Sequence, residues 1–140
     1  LNDILVTPLK RIQTDGGDVM HALKKSDKGF SDFGEVYFSW VEQGAIKAWK
    51  RHQRMTLNMV VPVGEVRFVF HLPEQNEGFR VENIGEKHYV RLTVPSGIWF
   101  GFQGRAPGCS LLMNVADIEH YPDEVMRKPL STFTYAWKSE

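Results

Sequence analysis

The sequence predicts an all-β barrel with one short C-terminal helix, and three observations carry that reading. Apolar and polar residues alternate in short runs through the middle of the chain, as they do along half-buried strands. Gly and Pro recur between those runs at the short spacing of a sandwich or barrel, not of a parallel α/β sheet. Only residues 123–128 look helical, with Pro122 suited to a first turn and Pro129 ending it.

Residues 1–29 form an N-terminal lead-in. Within it Ile4-Leu5-Val6, stopped by Pro8, and residues 9–12 read as short strands. Asp15-Gly16-Gly17-Asp18 is a turn signal, residues 19–23 are a strand or short helical piece, and 24–29 are charged and loop-like. Residues 34–41 alternate large and polar side chains and stop at Gln43-Gly44. Strands follow over 45–52 and 57–61, with a turn at Pro62-Val63-Gly64, and then over 65–72. That last strand places Val66, Phe68 and Phe70 on one face and Arg67, Val69 and His71 on the other. After a polar loop over 73–78, residues 79–81, 88–94, 99–103 and 110–115 continue the pattern.

The chain has 140 residues, enough for one domain with a sizeable core and no internal repeat or linker, so residues 1–140 are read as a single domain. Formal net charge is +0, so no global field draws the chain to nucleic acid or to a membrane surface. Any anion site must be a local concentration of charge. Cys109 is the single cysteine, which excludes an internal disulfide framework and suits a reducing compartment. No apolar run approaches the ~20 residues that span a bilayer. No basic region followed by an apolar one opens the chain, so no signal peptide is read. These features lead us to expect a cytoplasmic protein.

Residues 44–64 concentrate the charge. Lys47, Lys50, Arg51, His52 and Arg54 surround the indole of Trp49, and strand alternation sends Lys50, His52 and Arg54 to one face. That face is either solvated surface or the wall of an anion pocket. Lys47 and Arg54 are the candidate anion contacts, because Arg offers an oxyanion a two-pronged donor set; Arg91 and Arg105 are supplementary candidates. Neighbouring cations would lower the pKa of Lys50 and make it a base, whereas most lysines are plain surface. His52 titrates near neutral pH and can transfer a proton or simply be a hydrogen-bonded barrel residue.

The spacing across this stretch resembles the first cupin motif, Gly-x5-His-x-His-x4-Glu-x6-Gly, with Gly44, Lys50, His52, Leu57 and Gly64 in its places. Pro95-Ser96-Gly97-Ile98-Trp99-Phe100 has the spacing of the second motif, Pro-x-Gly-x2-His. Three of four metal-ligand positions have become Lys50, Leu57 and Phe100. Leu and Phe offer no donor and a protonated Lys binds a divalent ion poorly, so neither a metal nor another cofactor is expected.

A metal-free cupin of this kind resembles the dTDP-4-dehydrorhamnose 3,5-epimerase family and its sugar-nucleotide isomerase relatives. The resemblance runs from about Val6 to Trp137 and is strongest at 34–39, at Ile46-Lys47-Ala48-Trp49, at 95–102 and at Tyr135-Ala136-Trp137. It implies a cupin-type jelly roll, a nucleoside-diphosphate 4-keto-6-deoxy sugar as substrate, and proton transfer beside the keto group. It further implies a homodimer, formed through the sheets and the N-terminal segment, in surface polysaccharide or deoxysugar synthesis.

The family's catalytic pattern is rewritten. Its Arg-Gly-Leu-His stretch, which ends in the base, reads Lys47-Ala48-Trp49-Lys50. Its Asn-Asp-Pro, whose Asp orients that base, best matches Arg127-Lys128-Pro129, and its Asp-x-Arg has become His71-Leu72-Pro73. The family's acid falls near Glu119 and His120. Candidate catalytic residues are therefore Lys50, His52, Glu119 and His120. Lys47, Trp49, Arg54, His71, Tyr37, Trp99 and Phe100 are the candidates for substrate contact. Tyr37 is an alternative acid, and Trp49, Trp99, Phe100 and Phe102 are stacking candidates that barrel core explains equally. Three readings stay open: an isomerase with substituted acids and bases, a sugar-nucleotide binding module without turnover, and a structural cupin.

Overall fold

Alternation becomes strand throughout the computed structural model, which describes residues 1–76 and 78–137. The described residues form twelve strands: β1 Leu5–Pro8, β2 Arg11–Ile12, β3 Val19–Met20, β4 Glu35–Glu42, β5 Ile46–His52, β6 Leu57–Val63, β7 Glu65–His71, β8 Phe79–Gly85, β9 Val90–Val94, β10 Trp99–Gly104, β11 Cys109–Ala116 and β12 Val125–Arg127. They make two five-stranded antiparallel sheets, ordered β1-β9-β6-β11-β4 and β12-β5-β10-β7-β8, with β2 and β3 as a separate hairpin. This is the jelly-roll arrangement. Among the described residues, no helix is long and apolar enough to cross a membrane.

Strand β7 shows how pattern becomes core. Val66, Phe68 and Phe70 are fully buried between the sheets, where they meet Met59 and Val61 of β6 and Phe100 and Phe102 of β10. Burying a side chain of this size contributes about 1.5–3 kcal/mol, so the inner faces of β6, β7 and β10 hold the sandwich together. Gly64 makes the β6–β7 turn at φ +82°, and a side chain there would also strike Ser110. The turn is therefore confined to Gly64, and Pro62, expected within it, ends up inside β6.

The lead-in is tied down by one buried cation. Arg91, on β9, is fully buried and donates to Asn58, to the backbone oxygen of Ala22 and to the carboxylate of Asp27. It is a clamp on residues 22–28, so it is not on hand for a diphosphate. Arg105 follows β10 beside Glu65, to whose carbonyl its backbone N–H donates.

The helix expected over 123–128 is absent. Pro122–Glu124 form a single 3-10 turn, and Val125, Met126 and Arg127 then pair with His52, Arg51 and Lys50. The two prolines leave room for too few helical hydrogen bonds to repay nucleation. Adding a strand instead satisfies the open edge of β5.

The outer face of the second sheet carries a further apolar cluster. Trp49, Val69 and Trp99 lie there beneath Phe133, Tyr135 and Trp137 of the C-terminal segment. The Trp49 indole N–H donates to the carbonyl of Leu130 at 3.0 Å, which fixes where that segment crosses.

Candidate active site

A β-bulge in β5 creates the site. Lys50 lies opposite Phe100 and Lys47 lies opposite Phe102, so three steps along β5 match two along β10. Strict alternation would send Lys47 and Lys50 to opposite faces. The extra residue brings both to the side of the Phe rings. Gly101 faces the bulge, and a side chain on it would collide with the Cβ of Ala48. The bulge therefore requires glycine at that place.

Ser39, Lys47, Ala48, Trp49, Lys50, Phe102, Arg127 and Lys128 line a cleft of about 460 Å³ between β4 and the β5–β12 edge. The Lys50 ammonium stands 5.5 Å from the centre of the Phe100 ring and 5.8 Å from that of Phe102. Among the described residues it has no carboxylate or carbonyl partner. Burial lowers its pKa first, the cations of Arg127 and Lys47 lower it further, and it falls to about 8. Arg127 is exposed and pairs directly with Lys50 in the sheet, which puts both side chains on one face. Lys47 reaches the carbonyl of Trp40 at 3.2 Å. Lys128 contributes to the cleft wall but turns its ammonium to the outer face, 4.9 Å from the ring centre of Trp99.

His52 lies behind Lys50 on the same face, only 6% exposed and stacked on Phe100. Burial and then the Lys50 cation lower its pKa to about 4, against a smaller opposing pull from Glu124. At neutral pH it is an uncharged imidazole. Glu124 is fully buried beside it. Burial pushes that carboxyl upward, but the N–H groups of Arg54 and Met55 and the nearby His52 outweigh it, so it titrates below its ordinary value. On β4, the Tyr37 hydroxyl accepts a hydrogen bond from Asn114 at 3.0 Å. Its pKa is raised, by burial first and then by Glu35, so the phenol keeps its proton.

Of the residues expected at the site, Lys47, Lys50, His52 and Phe100 gather at or beneath the cleft, and Tyr37 stands two residues from Ser39 on the same face of β4. Arg54 does not share their face: β5 ends at His52, and the Arg54 guanidinium bonds the Tyr121 hydroxyl at 3.0 Å. Glu119 and His120 lie on the exposed loop after β11, where the His120 N–H donates to Glu35. Trp49, Trp99 and His71 turn their rings to the outer face. His71 stacks on Phe79 at 4.4 Å and meets Phe133 edge-on. The C-terminal segment covers these rings, so they are packing residues there and not a sugar platform. Sequence reasoning passed over Arg127 and Glu124. Both belong to the stretch read as a helix, and Glu124 meets the residues just after β5, at Arg54, across 70 positions of chain. Leu57 and Phe100, at two cupin ligand positions, lie in the apolar core.

No family model matches the chain, and no curated protein matches it. Among solved structures, a dTDP sugar isomerase from Desulfovibrio desulfuricans G20 superposes with a TM-score of 0.89 at 32% identity, covering 94% of this chain and 87% of that one. The chain belongs to the dTDP-sugar isomerase family. The fold is shared more widely within the sugar-nucleotide cupins. A sugar 3,4-ketoisomerase from Thermoanaerobacterium thermosaccharolyticum, in complex with TDP, gives a TM-score of 0.75 at 20% identity, covering 91% of this chain and 90% of that one. A dTDP-4-dehydrorhamnose 3,5-epimerase from Bacillus anthracis gives 0.78 at 17% identity, covering 92% and 80%.

Proposed function

We propose that this dTDP-sugar isomerase family member is a metal-independent epimerase or keto-isomerase of a nucleoside-diphosphate 4-keto-6-deoxy sugar, with Lys50 at the reacting carbonyl. The observation that carries the reading is the Lys50 ammonium. Among the described residues it has no counter-ion: it is held on two Phe rings in a cleft whose other charges, Lys47, Arg127 and Lys128, are also positive. A cation in that setting stabilises negative charge strongly, because little water competes for it. Removing a proton beside a ketone puts negative charge on the ketone oxygen, and Lys50 would neutralise it. A pKa of about 8 also lets Lys50 pass a proton to that oxygen near neutral pH. Lys47 and Arg127, nearer solvent, supply the charge that a diphosphate requires.

The nucleotide-linked substrate and the lone Cys109 fit a cytoplasmic role in deoxysugar or surface-polysaccharide synthesis. The homodimer implied by the family resemblance has a suitable face. Val36, Phe38 and Trp40 project from β4 on the outer side of the first sheet, with Phe38 60% and Trp40 62% exposed. Such a stripe is costly to leave in water and marks an interaction surface. Light scattering at micromolar concentration should give twice the monomer mass, and Phe38→Glu with Trp40→Glu should give the monomer.

The activity is tested by incubating the protein in deuterated water with nucleotide-linked 4-keto sugars and following exchange at the ring carbons by NMR. Exchange by the wild type and its loss in Lys50→Met support the reading. Exchange that survives in Lys50→Met removes Lys50 from the chemistry. Binding without exchange on any of these ligands would make the chain a binding module instead.

A further inference from the structure

Three lysines line the cleft, and each has a different setting. Lys47 is exposed and donates to the carbonyl of Trp40 at 3.2 Å. Lys128 is exposed and holds its ammonium 4.9 Å from the ring centre of Trp99 and 5.6 Å from that of Phe133. Lys50 is half-buried, and among the described residues its nitrogen has no carboxylate or carbonyl to donate to. Its surroundings are the rings of Phe100 and Phe102 and the cations of Arg127 and Lys47. Burial first, and then those cations, bring its pKa to about 8, so roughly one molecule in ten carries a free amine at pH 7. An ion-paired lysine keeps its proton because the carboxylate favours the charged form. A lysine that is desolvated and flanked by cations has its lone pair to offer, and that makes it a nucleophile.

We propose that Lys50 is a covalent nucleophile toward carbonyl compounds that carry a phosphate or diphosphate, joining their carbonyl carbon as an iminium. A nucleotide-linked 4-keto sugar is the carbonyl compound expected, and for that identity the inference rests on the isomerase reading above. Lys47 and Arg127, both exposed, hold the anionic end. The nitrogen lone pair attacks the carbonyl carbon, and the C=O π pair moves to the oxygen. That oxygen takes one proton from the nitrogen and one from the water that received the ammonium's proton. It leaves as water while the nitrogen lone pair closes the C=N bond. An ammonium and a ketone thus become an iminium and water, with charge conserved and no co-reactant. Loss of a proton from the neighbouring carbon to cleft water then turns the C–H pair into a C=C bond and returns the C=N pair to nitrogen. Reprotonation and hydrolysis release the sugar and restore Lys50. The imidazole that the family resemblance implies at this position forms no iminium, so its replacement by Lys50 changes the class of chemistry open to the cleft.

Cyanoborohydride at pH 7 reduces an iminium, leaves a ketone intact and so fixes the adduct as a secondary amine. Wild-type protein with a nucleotide-linked 4-keto-6-deoxy sugar should gain the ligand's mass less one oxygen atom. Peptide mass spectrometry should place the adduct on Lys50 and not on Lys47 or Lys128. Pyridoxal 5′-phosphate, an aldehyde with a phosphate, is a probe independent of the sugar; below one equivalent it should label Lys50 ahead of the exposed Lys10 and Lys25. Lys50→Arg keeps the cation but forms no iminium, so both adducts should be lost and ring-proton exchange should fall as far as in Lys50→Met. No Lys50 adduct with either probe, or labels spread evenly over the exposed lysines, overturns the proposal; this decides the matter even if Lys50→Arg fails to fold. Exchange at the wild-type rate in Lys50→Arg overturns it as a step of the isomerisation. Ring exchange in wild-type protein without any Lys50 adduct removes the covalent step and leaves the isomerase reading standing. A Lys50 adduct without ring exchange upholds the nucleophile and counts against the isomerase reading.

Discussion

Strand β5 presents two faces made of similar residue types, and the contrast between them is the basis for the proposed site. On the outer face Arg51 is satisfied: its guanidinium bonds Glu74 at 3.0 Å and lies 4.9 Å from the ring centre of Trp99. Trp49 is sealed beneath Phe133 and Trp137. On the inner face Lys50 has two Phe rings and two cations around it, and among the described residues His52 has no well-formed hydrogen bond. The outer face has met the requirements of a folded protein, with each charge paired and each ring covered. The inner face has not. Unpaired charge held in a low-dielectric cleft costs stability, and such residues are expected where a ligand will complete them.

The largest effect should come from the inner face. Lys50→Met should slow ring-proton exchange by about 10²–10⁴-fold, measured by NMR in deuterated water, while secondary structure by circular dichroism stays unchanged. The outer face should answer in the other coin. Trp99→Ala should destabilise the protein by about 3–5 kcal/mol, read from denaturant unfolding, and the pH dependence of exchange should keep its shape. Comparable loss of exchange from a folded Trp99→Ala protein would erase the distinction between the faces.

A smaller effect, opposite in sign, sharpens the comparison. The pKa of Lys50 falls from 10.5 to about 8 on folding, so at pH 7 the folded state carries an unfavourable cation. That penalty is complete below pH 8 and fades as pH rises toward 10.5. Lys50→Met should therefore be more stable than wild type at pH 7 by about 3 kcal/mol, with the gap closing as pH approaches 10.5. A Lys50→Met protein less stable than wild type at neutral pH would show that its ammonium is satisfied. In the wild type, activity that needs the Lys50 cation should decline as pH rises through about 8. The smallest effect belongs to Lys47, which is exposed. Lys47→Ala should raise KM several-fold, by about 1 kcal/mol, and that difference should shrink as salt is added.

How much of this was legible depended on the range of the interactions. The runs at 34–41, 65–72 and 110–115 each reappear as strands, because side-chain alternation and Gly or Pro punctuation act over a few residues. Lys50 and His52 could be located by their spacing between Gly44 and Gly64. Lys47 was named for its charge, but simple alternation could not place it, since a bulge opposite Gly101 inverts its facing. Trp49, Trp99 and His71 were candidates for sugar contact because nothing local reveals that residues 130–137 fold back over them. The stretch at 123–128 looked helical because its local signals were those of a helix, and only pairing with β5 overrode them.

By itself the sequence pointed to an all-β barrel or sandwich, which follows from residue type and period, and its resemblance to the cupin motifs pointed to where a polar cleft would lie and to ligand positions that hold no metal donors. Tertiary structure alone decided which cations meet, which rings are sealed and which acid stands beside His52. Those outcomes depend on contacts between residues far apart in the chain, and the pattern within any single strand carries no information about them.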